Sequence, residues 1–325
     1  MTTHSTSRTD KNMKEYIPIV FAADDGYAMP TGVAIASLCN SKKNDTKYRI
    51  YLIAPHLSND NIDKLKSYNS DNCKIEIIFA ENLLQNKAST LEKVTNTDYY
   101  RLMLDSILPN EDKVISLDGD LLVFEDLTEL YNIELGENYI GGCYFRPHDI
   151  YNRKYVQEVL TLNEGKRINI GVMLMNLKKL REDNIQKQMI AKIGCFDIMS
   201  EDIINYICKD KIKQIPLKFN YNLHFYKYKN LLKNDPVYSA EEYKTAKQKP
   251  AIFHYTLEKP WKVDVIHRQK DWIFYKNLSS YKNVDLNIKK KSLLERIFFI
   301  THESSGYKKH KVITICGIKL KFRED

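Results

Sequence analysis

The chain has 325 residues, of which 43% are hydrophobic and 28% charged, and this composition is ordinary for a globular protein. Its formal charge is +8, but ten of the 50 Lys/Arg and only two of the 42 Asp/Glu lie within residues 286–323, so the rest of the chain is neutral. A neutral body with a basic C-terminal segment argues against a nucleic-acid-coating protein, and we expect no nucleic-acid partner.

The N-terminus is polar and lacks the apolar core of a secretory signal. No stretch approaches the roughly 18–20 apolar residues that a membrane-spanning helix needs. The six cysteines are scattered, without a C-x-x-C pair. The sequence therefore predicts a reduced, cytoplasmic protein whose residues 1–14 are disordered.

Strand-like and helix-like segments alternate from residue 17 onward. Strands are predicted over 17–23, 48–54, 74–80 and 113–117 from their apolar, β-branched runs. Helices are predicted from Pro30, from an N-cap at Ser58, and over 98–108. Such alternation predicts a mostly parallel sheet covered on both faces, with a ligand outside the carboxyl ends of its strands.

The pattern loosens after residue 125. Further strands of a mixed sheet are predicted over 139–145, 168–176 and 251–256, and helices over 177–190 and 200–208. The C-terminal segment from residue 286 begins with a candidate basic amphipathic helix, K-K-K-S-L-L-E-R-I-F-F-I, and ends in a candidate hairpin around Cys316 and Gly317.

Two aspartates follow the fourth predicted strand in S-L-D-G-D, residues 116–120. In an extended segment Asp118 and Asp120 point to the same side, and Gly119 would leave room for a ligand close to the backbone. Two converging carboxylates suit a hard divalent cation, which in turn suits a diphosphate. The alternative is structural, with one aspartate capping a helix and the other solvated.

Six short motifs occur in order along the chain: F-A-A-D-D-G-Y (21–27), Y-Y-R-L-M-L (99–104), S-L-D-G-D (116–120), N-I-G-V-M-L-M-N-L-K-K (169–179), E-D-I-I-N (201–205) and F-H-Y-T-L-E-K-P-W (253–261). The series resembles family 8 of the retaining glycosyltransferases. That family includes bacterial galactosyl- and glucosyltransferases that extend lipopolysaccharide, and glycogenin. The resemblance spans roughly residues 17–262.

The resemblance implies a GT-A fold: one Rossmann-like α/β domain over residues 15–285 with a mixed, mainly parallel central sheet, followed by the basic C-terminal segment 286–325. It also implies a donor-binding stretch in which Asp24, with the backbone of Ala22 and Ala23, contacts the uracil and ribose of UDP, beside Asp25 and Tyr27. The alternative for Asp24 is an ordinary turn aspartate after a strand.

A metal site and a phosphate contact follow from the same resemblance. Asp118 and Asp120, with Gly119 between them, would hold Mn²⁺ together with His254, with Mg²⁺ as a substitute. Lys259, five residues after the histidine where relatives commonly have six, would meet the diphosphate of the donor. Without the downstream K-P-W, His254 would be read as a core histidine.

Arg101 and Asn169 match residues that lie against the donor sugar. The resemblance places Arg101 beneath the sugar, where it organises carboxylates, and makes Asn169 a hydrogen-bond partner of the transferred sugar. The alternatives are a surface arginine paired with Asp98 or Asp105, and a turn asparagine before a strand.

The region around residue 200 departs from the family pattern, which has an acid, a glutamine and an aspartate. Here Ser200 replaces the acid and Glu201 the glutamine, so the resemblance implies catalytic or sugar-contacting roles for Glu201 and Asp202. The alternative is a helix start with Ser200 as N-cap. The family's sugar-selecting acid is replaced by Phe145, with Asp149 as a nearby substitute.

Two routes retain the anomeric configuration. One is double displacement with Glu201 as the nucleophile. The other, which the family favours, is same-face attack in which the leaving diphosphate accepts the acceptor's proton, with Glu201 stabilising the oxocarbenium-like centre.

The expected partners are a UDP-hexose donor and a glycan or glycolipid acceptor such as lipopolysaccharide. The basic segment predicts peripheral attachment to the anionic inner face of the plasma membrane, where each Lys/Arg within reach contributes roughly 1 kcal/mol; the alternative is a solvated charge run. Competing functions are a sugar-phosphate nucleotidyltransferase, which would need a glycine-rich basic loop after the first strand, and a non-catalytic sugar-nucleotide-binding protein at the membrane.

Overall fold

A computed structural model of the chain describes residues 15–80, 96–145, 160–162, 166–195, 199–227, 237–264, 266–290, 292, 298–305, 308–315 and 318–324. The predicted disorder of residues 1–14 concerns a segment outside the described residues.

A seven-stranded mixed sheet forms the centre of the described chain, in the order β3-β2-β1-β4-β7-β6-β8. Parallel pairs join β3, β2, β1 and β4, and β6 with β8, whereas β7 is antiparallel to both β4 and β6. The predicted mixed, mainly parallel sheet is confirmed. Its strands are β1 (Ile17–Ala22), β2 (Tyr48–Ala54), β3 (Cys73–Phe79), β4 (Lys113–Leu117), β6 (Ile140–Phe145), β7 (Arg167–Asn176) and β8 (Ile212–Gln214).

Both faces of this sheet are buried, as its apolar strands predict. In β1, Ile19 and Phe21 pack into one hydrophobic cluster, while Val20 between them packs into a second cluster on the other face. In β2, Leu52 and Ile53 divide in the same way. Because neighbouring residues of a strand point to opposite faces, a nearly continuous apolar run is required here.

The helices cover these faces and the edges of the sheet. They are α1 (Asp25–Ser41), α2 (Asn59–Lys66), α3 (Leu104–Ile107), α4 (Thr128–Tyr131), α5 (Leu177–Glu182), α6 (Ile185–Ala191), α7 (Met199–Cys208), α8 (Leu223–Lys227), α9 (Ala240–Gln248) and α10 (Gln269–Leu278). Ser58 caps α2 as predicted. The first helix begins earlier than predicted, because Asp24 caps it and Pro30 lies inside it. Proline has no N–H, so the carbonyl of Gly26 receives no helical hydrogen bond from Pro30. Gly26 is exposed, and water can reach this carbonyl instead.

Two other helix predictions need correction. The segment predicted as a helix over 98–108 is a 3₁₀ helix, Asn96–Met103, followed by the single turn of α3. The segment predicted over 177–190 is split into α5 and α6, because Asn184 adopts a left-handed backbone conformation with φ of 53°. Asparagine tolerates that conformation better than most residues do.

A smaller three-stranded sheet lies beside the main one, in the order β5-β10-β9. Its strands are β5 (Leu121–Val123), β9 (Tyr221–Asn222) and β10 (Ile252–His254). The strand predicted over 251–256 therefore exists but pairs within this second sheet. Its antiparallel register sets His254 opposite Leu121, directly after Asp120.

The C-terminal segment contains a third sheet, with β11 (Phe298–Ser305), β12 (Lys308–Ile315) and β13 (Ile318–Glu324). The predicted hairpin is confirmed as the antiparallel pair β12–β13. The predicted amphipathic helix is wrong for residues 298–300, which start β11 and pair with β12, while residues 291 and 293–297 lie outside the described residues. Among the described residues, no helix is both long and apolar enough to cross a membrane.

Candidate active site

Two carboxylates and one imidazole converge where β4, β5 and β10 meet. Asp118 directly follows β4, Asp120 directly precedes β5, and His254 ends β10. One ligand atom from each lies within 4.8 Å of the other two. The Nε2 atom of His254 is 3.1 Å from Asp120 Oδ1 and 3.5 Å from Asp118 Oδ2. The predicted convergence of these three side chains is thus present in the structure.

Gly171 of β7 makes this convergence sterically feasible. A Cβ atom at this position would lie 2.1 Å from His254 Cε1 and 2.8 Å from Asp118 Oδ2. Only glycine therefore lets the histidine and the aspartate face each other across the strand. The hard oxygen ligands, the imidazole and this reserved space fit a divalent cation of the Mn²⁺ or Mg²⁺ type.

Gly119 packs closely against helix α1. A Cβ atom there would lie 2.2 Å from Thr31 Oγ1, a buried side chain of α1. Helix α1 therefore makes a close approach that requires glycine here, and the approach of a ligand to this backbone stays a prediction. The glycine still matters to the site, because it lets α1 pack against the turn that carries both aspartates.

Arg101 contacts the first of the two aspartates. Its Nη2 atom lies 2.8 Å from Asp118 Oδ1, and its Nη1 and Nε atoms donate to the carbonyls of Ile170 and Asp98 at 3.1 and 3.2 Å. Burial alone would lower the pKa of the Arg101 guanidinium, but Asp118, Asp98 and Glu201 together raise it. The arginine is therefore a fixed positive charge under one edge of the carboxylate pair.

Lys259 contacts the second aspartate. Its ammonium group donates to Asp120 Oδ2 and, at 2.6 Å, to the carbonyl of Tyr255. Burial opposes ionisation of Asp120, but His254 and Lys259 together hold the pKa of this carboxyl far below its usual range. Asp120 therefore remains a carboxylate, the form that binds a cation.

The two aspartates at the start of α1 differ in their surroundings. Asp24 accepts a hydrogen bond from the backbone N–H of Tyr27 at 3.0 Å and thus caps α1. The Oδ1 atom of Asp25 accepts from the backbone N–H of Ser58 at 2.8 Å and from Asn61 Nδ2 at 2.9 Å. The structure therefore directs this Asp25 oxygen to the start of α2, and these hydrogen bonds lower its pKa.

Ala22, Ala23 and Tyr27 surround the same end of the sheet. Ala22 lines a small recess with Arg101 at the carboxyl ends of β1 and β4, and Ala23 is fully buried. Tyr27 is 36% exposed and packs edge-on against Trp261, with ring centroids 6.0 Å apart. Burial and then the nearby Asp120 raise the pKa of the Tyr27 hydroxyl, so it stays a neutral hydrogen-bonding group.

A second group of charged residues lies on β7 and α7, behind the cluster of Asp118, Asp120 and His254. Arg167 is 1% exposed, and its Nη1 and Nη2 atoms lie 2.5 Å from Glu201 Oε1 and 2.7 Å from Asp202 Oδ1. Asn169 donates to Glu201 Oε2 at 3.1 Å. Burial raises the pKa of Glu201 despite the opposing effect of Arg167.

The sequence predictions around residue 200 need two corrections. Asp202 is 0% exposed, so its carboxylate serves Arg167 and has no surface on which to contact a sugar. Ser200 does not cap α7, which begins at Met199; instead the backbone N–H of Ser200 donates to Asp98 Oδ2 at 3.0 Å. Asp98 of the 3₁₀ helix thus supplies the negative charge that stabilises the N-terminus of α7.

Phe145 is buried at 5% exposure and packs against the rings of His224 and Phe225, as an apolar residue should. Asp149, the predicted substitute for a sugar-selecting acid, lies outside the described residues.

Three residues of the site were not predicted from the sequence: Arg167, Gly171 and Asn220. A usable signal exists for the first two, because Arg167, Asn169 and Gly171 follow a period of two along a buried strand and so share one face of β7. A charged residue in a strand of this kind calls for a partner. For Asn220 no local pattern distinguishes it from Asn222 two residues later.

Comparisons with known proteins agree with this geometry. A family model described as glycosyl transferase family 8 matches residues 18–264. A Haemophilus influenzae protein provisionally named a glycosyltransferase is 31% identical over 225 residues, which is 66% of this chain and 67% of that protein.

Two solved structures resemble the described fold. The bifunctional glycosyltransferase WbbM in its apo form has a TM-score of 0.71 at 21% identity, over 82% of this chain and 51% of WbbM. The galactosyltransferase LgtC in complex with donor and acceptor sugar analogues has a TM-score of 0.65 at 24% identity, over 81% of this chain and 96% of LgtC.

The architecture is therefore the GT-A fold of the glycosyltransferases, with an acid–acid–histidine cluster at the carboxyl ends of its strands. Because the family model covers more than half of the sequence, the chain belongs to glycosyltransferase family 8.

Proposed function

We propose that the chain is a metal-dependent, retaining glycosyltransferase that moves a hexose, galactose or glucose, from a UDP-sugar to lipopolysaccharide, lipooligosaccharide or another cell-surface glycan. The observation that carries the proposal is the convergence of Asp118, Asp120 and His254 between two fixed cations, Arg101 and Lys259. The ligand set fits Mn²⁺, with Mg²⁺ as a substitute.

A divalent cation held by the two aspartates and the histidine would supply a Lewis acid that offsets the charge on a departing diphosphate. The chain's own residues prepare this site. One oxygen of Asp118 binds Arg101 while the other faces His254, so the arginine orients the carboxylate toward the cluster. Lys259, which pairs with Asp120 in this structure, would lie within reach of a phosphate of the donor and add a second positive charge beside it.

The surroundings of Glu201 support same-face attack over double displacement. Both of its oxygens are engaged, Oε1 by Arg167 and Oε2 by Asn169 and the backbone N–H of Ile170. A carboxylate held in this way is suited to stabilising positive charge on the sugar, and less suited to forming a covalent bond. We assign Asp202 to positioning, since it shares Arg167 with Glu201.

The C-terminal sheet supports the proposed attachment to the anionic inner face of the plasma membrane, with the enzyme on the cytoplasmic side. Leu320 and Phe322 on β13 are 45% and 50% exposed. In sequence they alternate with Lys319, Lys321 and Arg323. Because alternate residues of a strand share a face, Leu320 and Phe322 form an apolar patch on one face of β13, within a segment whose basic composition suits anionic headgroups.

The test is a Mn²⁺-supplemented screen of UDP-sugars for release of UDP, with and without glycan acceptors. We expect one UDP-hexose to be turned over and Asp120→Ala to lower kcat at least about a hundredfold. Asp112→Ala is the matched control, since the Asp112 side chain is 77% exposed and pairs only at 3.4 Å with Arg181. Turnover of a nucleoside triphosphate with a sugar phosphate, and of no UDP-sugar, would instead indicate a nucleotidyltransferase.

A further inference from the structure

Asn220 lies directly behind the histidine of the cluster. It ends a 3₁₀ helix, Leu217–Asn220, and is 0% exposed. Its Oδ1 atom is 3.2 Å from His254 Nδ1, and its Nδ2 atom is 2.9 Å from Asn169 Oδ1. The amide thus bridges the predicted metal ligand on β10 and the predicted sugar-contacting asparagine on β7.

Backbone groups determine which way each amide faces. The Nδ2 atom of Asn220 also lies 3.4 Å from the carbonyl oxygen of Asn169, which only accepts hydrogen bonds. The backbone N–H of Gly171, which only donates, lies 3.2 Å from Asn169 Oδ1. Neither amide can be turned over without setting donor against donor or acceptor against acceptor.

The orientation has a consequence for the imidazole. Because the oxygen of Asn220 faces Nδ1 of His254, that nitrogen carries the proton and donates. In the neutral ring the lone pair is then on Nε2, the nitrogen that faces Asp120 and Asp118. This is the tautomer that a metal ligand needs, and a hydrogen bond to the second nitrogen is how proteins select it.

We propose that Asn220 is a positioning residue that holds His254 in the tautomer and ring orientation required for a divalent cation, and that it connects this ligand to Glu201. The connection runs in one direction: His254 donates to Asn220, Asn220 to Asn169, and Asn169 to a carboxylate oxygen that only accepts. The inference rests on the proposed function, since it requires that the cluster bind a cation.

The experiment measures the dissociation constant of Mn²⁺ by electron paramagnetic resonance, with Mn²⁺ alone and with UDP present. Three full-length variants are compared with the wild type: Asn220→Ala, Asn220→Asp and Asn222→Ala. Asn222 is the matched control, because it is 1% exposed and accepts from the backbone N–H of His224 at 3.0 Å. Thermal melting establishes that each variant is folded.

We expect N220A to weaken Mn²⁺ binding about 10- to 100-fold, the usual cost of losing a partner of a metal-bound histidine. N220D keeps an acceptor for Nδ1, so its Mn²⁺ affinity should stay within about threefold of the wild type, as should that of N222A. The kcat of N220D should nevertheless fall, because a carboxylate cannot donate to Asn169.

Wild-type Mn²⁺ affinity in folded N220A, or an affinity in N220D as poor as in N220A, would overturn the inference while leaving the metal site intact. If N220A does not fold, N220D decides alone: retained affinity supports the inference, and lost affinity refutes it. If the wild type binds no Mn²⁺ even with UDP, the proposed function itself fails, and this inference with it.

Discussion

Replacing Arg167 with methionine removes the guanidinium that pairs with Glu201 and Asp202 but keeps a side chain of similar length. The pairs are 2.5 and 2.7 Å long, and the side chains are 1% exposed for Arg167, 14% for Glu201 and 0% for Asp202. Removing one partner of a buried ion pair leaves the other charge without compensation, which costs about 3–5 kcal/mol. We expect R167M to lose about that much free energy of unfolding near neutral pH, measured by urea denaturation.

The loss should depend on pH in a definite direction. Burial already raises the pKa of Glu201 although Arg167 opposes this, and without the arginine the pKa must rise further. A carboxyl group whose pKa is higher in the folded than in the unfolded protein binds its proton more tightly when the chain is folded. Its contribution to the free energy of unfolding is therefore fully present below the unfolded pKa of about 4.3 and is lost as pH rises through the folded pKa. The difference in free energy of unfolding between the wild type and R167M should therefore become smaller in mild acid.

Two comparisons make the result decisive. Arg49→Met removes a 3.4 Å pair with Glu76, whose side chain is 52% exposed, and a contact over the Tyr16 ring; each contributes about 1 kcal/mol or less, so R49M should cost clearly less than R167M. The triple variant R167M–E201Q–D202N, which lacks the stranded carboxylates, should be more stable than R167M. A loss in R167M no larger than that in R49M, or a triple variant no more stable than R167M, would refute the reasoning.

Two further predictions concern the space in the cluster and the C-terminal sheet. Gly171→Ala places a methyl group 2.1 Å from His254 and should abolish Mn²⁺ binding. The control is Gly136→Ala, at φ of 57° with no atom within 4 Å, which should cost roughly 1 kcal/mol of stability and leave Mn²⁺ affinity unchanged. Equal Mn²⁺ affinity in both variants would contradict the steric argument. Replacing Leu320 and Phe322 with serine should lower binding to vesicles rich in phosphatidylglycerol by about tenfold or more. Serine at Phe274, which is 56% exposed on α10, should leave vesicle binding unchanged. Loss of binding only in the Phe274 variant would place the membrane contact elsewhere.

Much of the fold could be predicted because its signals are local. The strand over 48–54 has the same bounds in the structure as in the prediction, since Lys47 precedes its mostly apolar run and Pro55, which has no N–H for a ladder hydrogen bond, follows it. The C-terminal segment shows where local pattern is ambiguous. Residues 298–300 are apolar and follow lysines, which suits a helix or a strand equally, and their pairing with β12 decides for the strand.

The sequence by itself determined the family of this protein and its candidate functional groups: an acid pair after a strand, a histidine with a lysine beyond it, and the ordered motifs of family 8. Those features are runs of a few residues whose types reveal their use. Only the tertiary structure decided what surrounds them, such as the pairing of Lys259 with Asp120 and of Asn220 with His254. These contacts join residues 139 and 34 positions apart, and because they depend on how separate sheets pack, no local pattern encodes them.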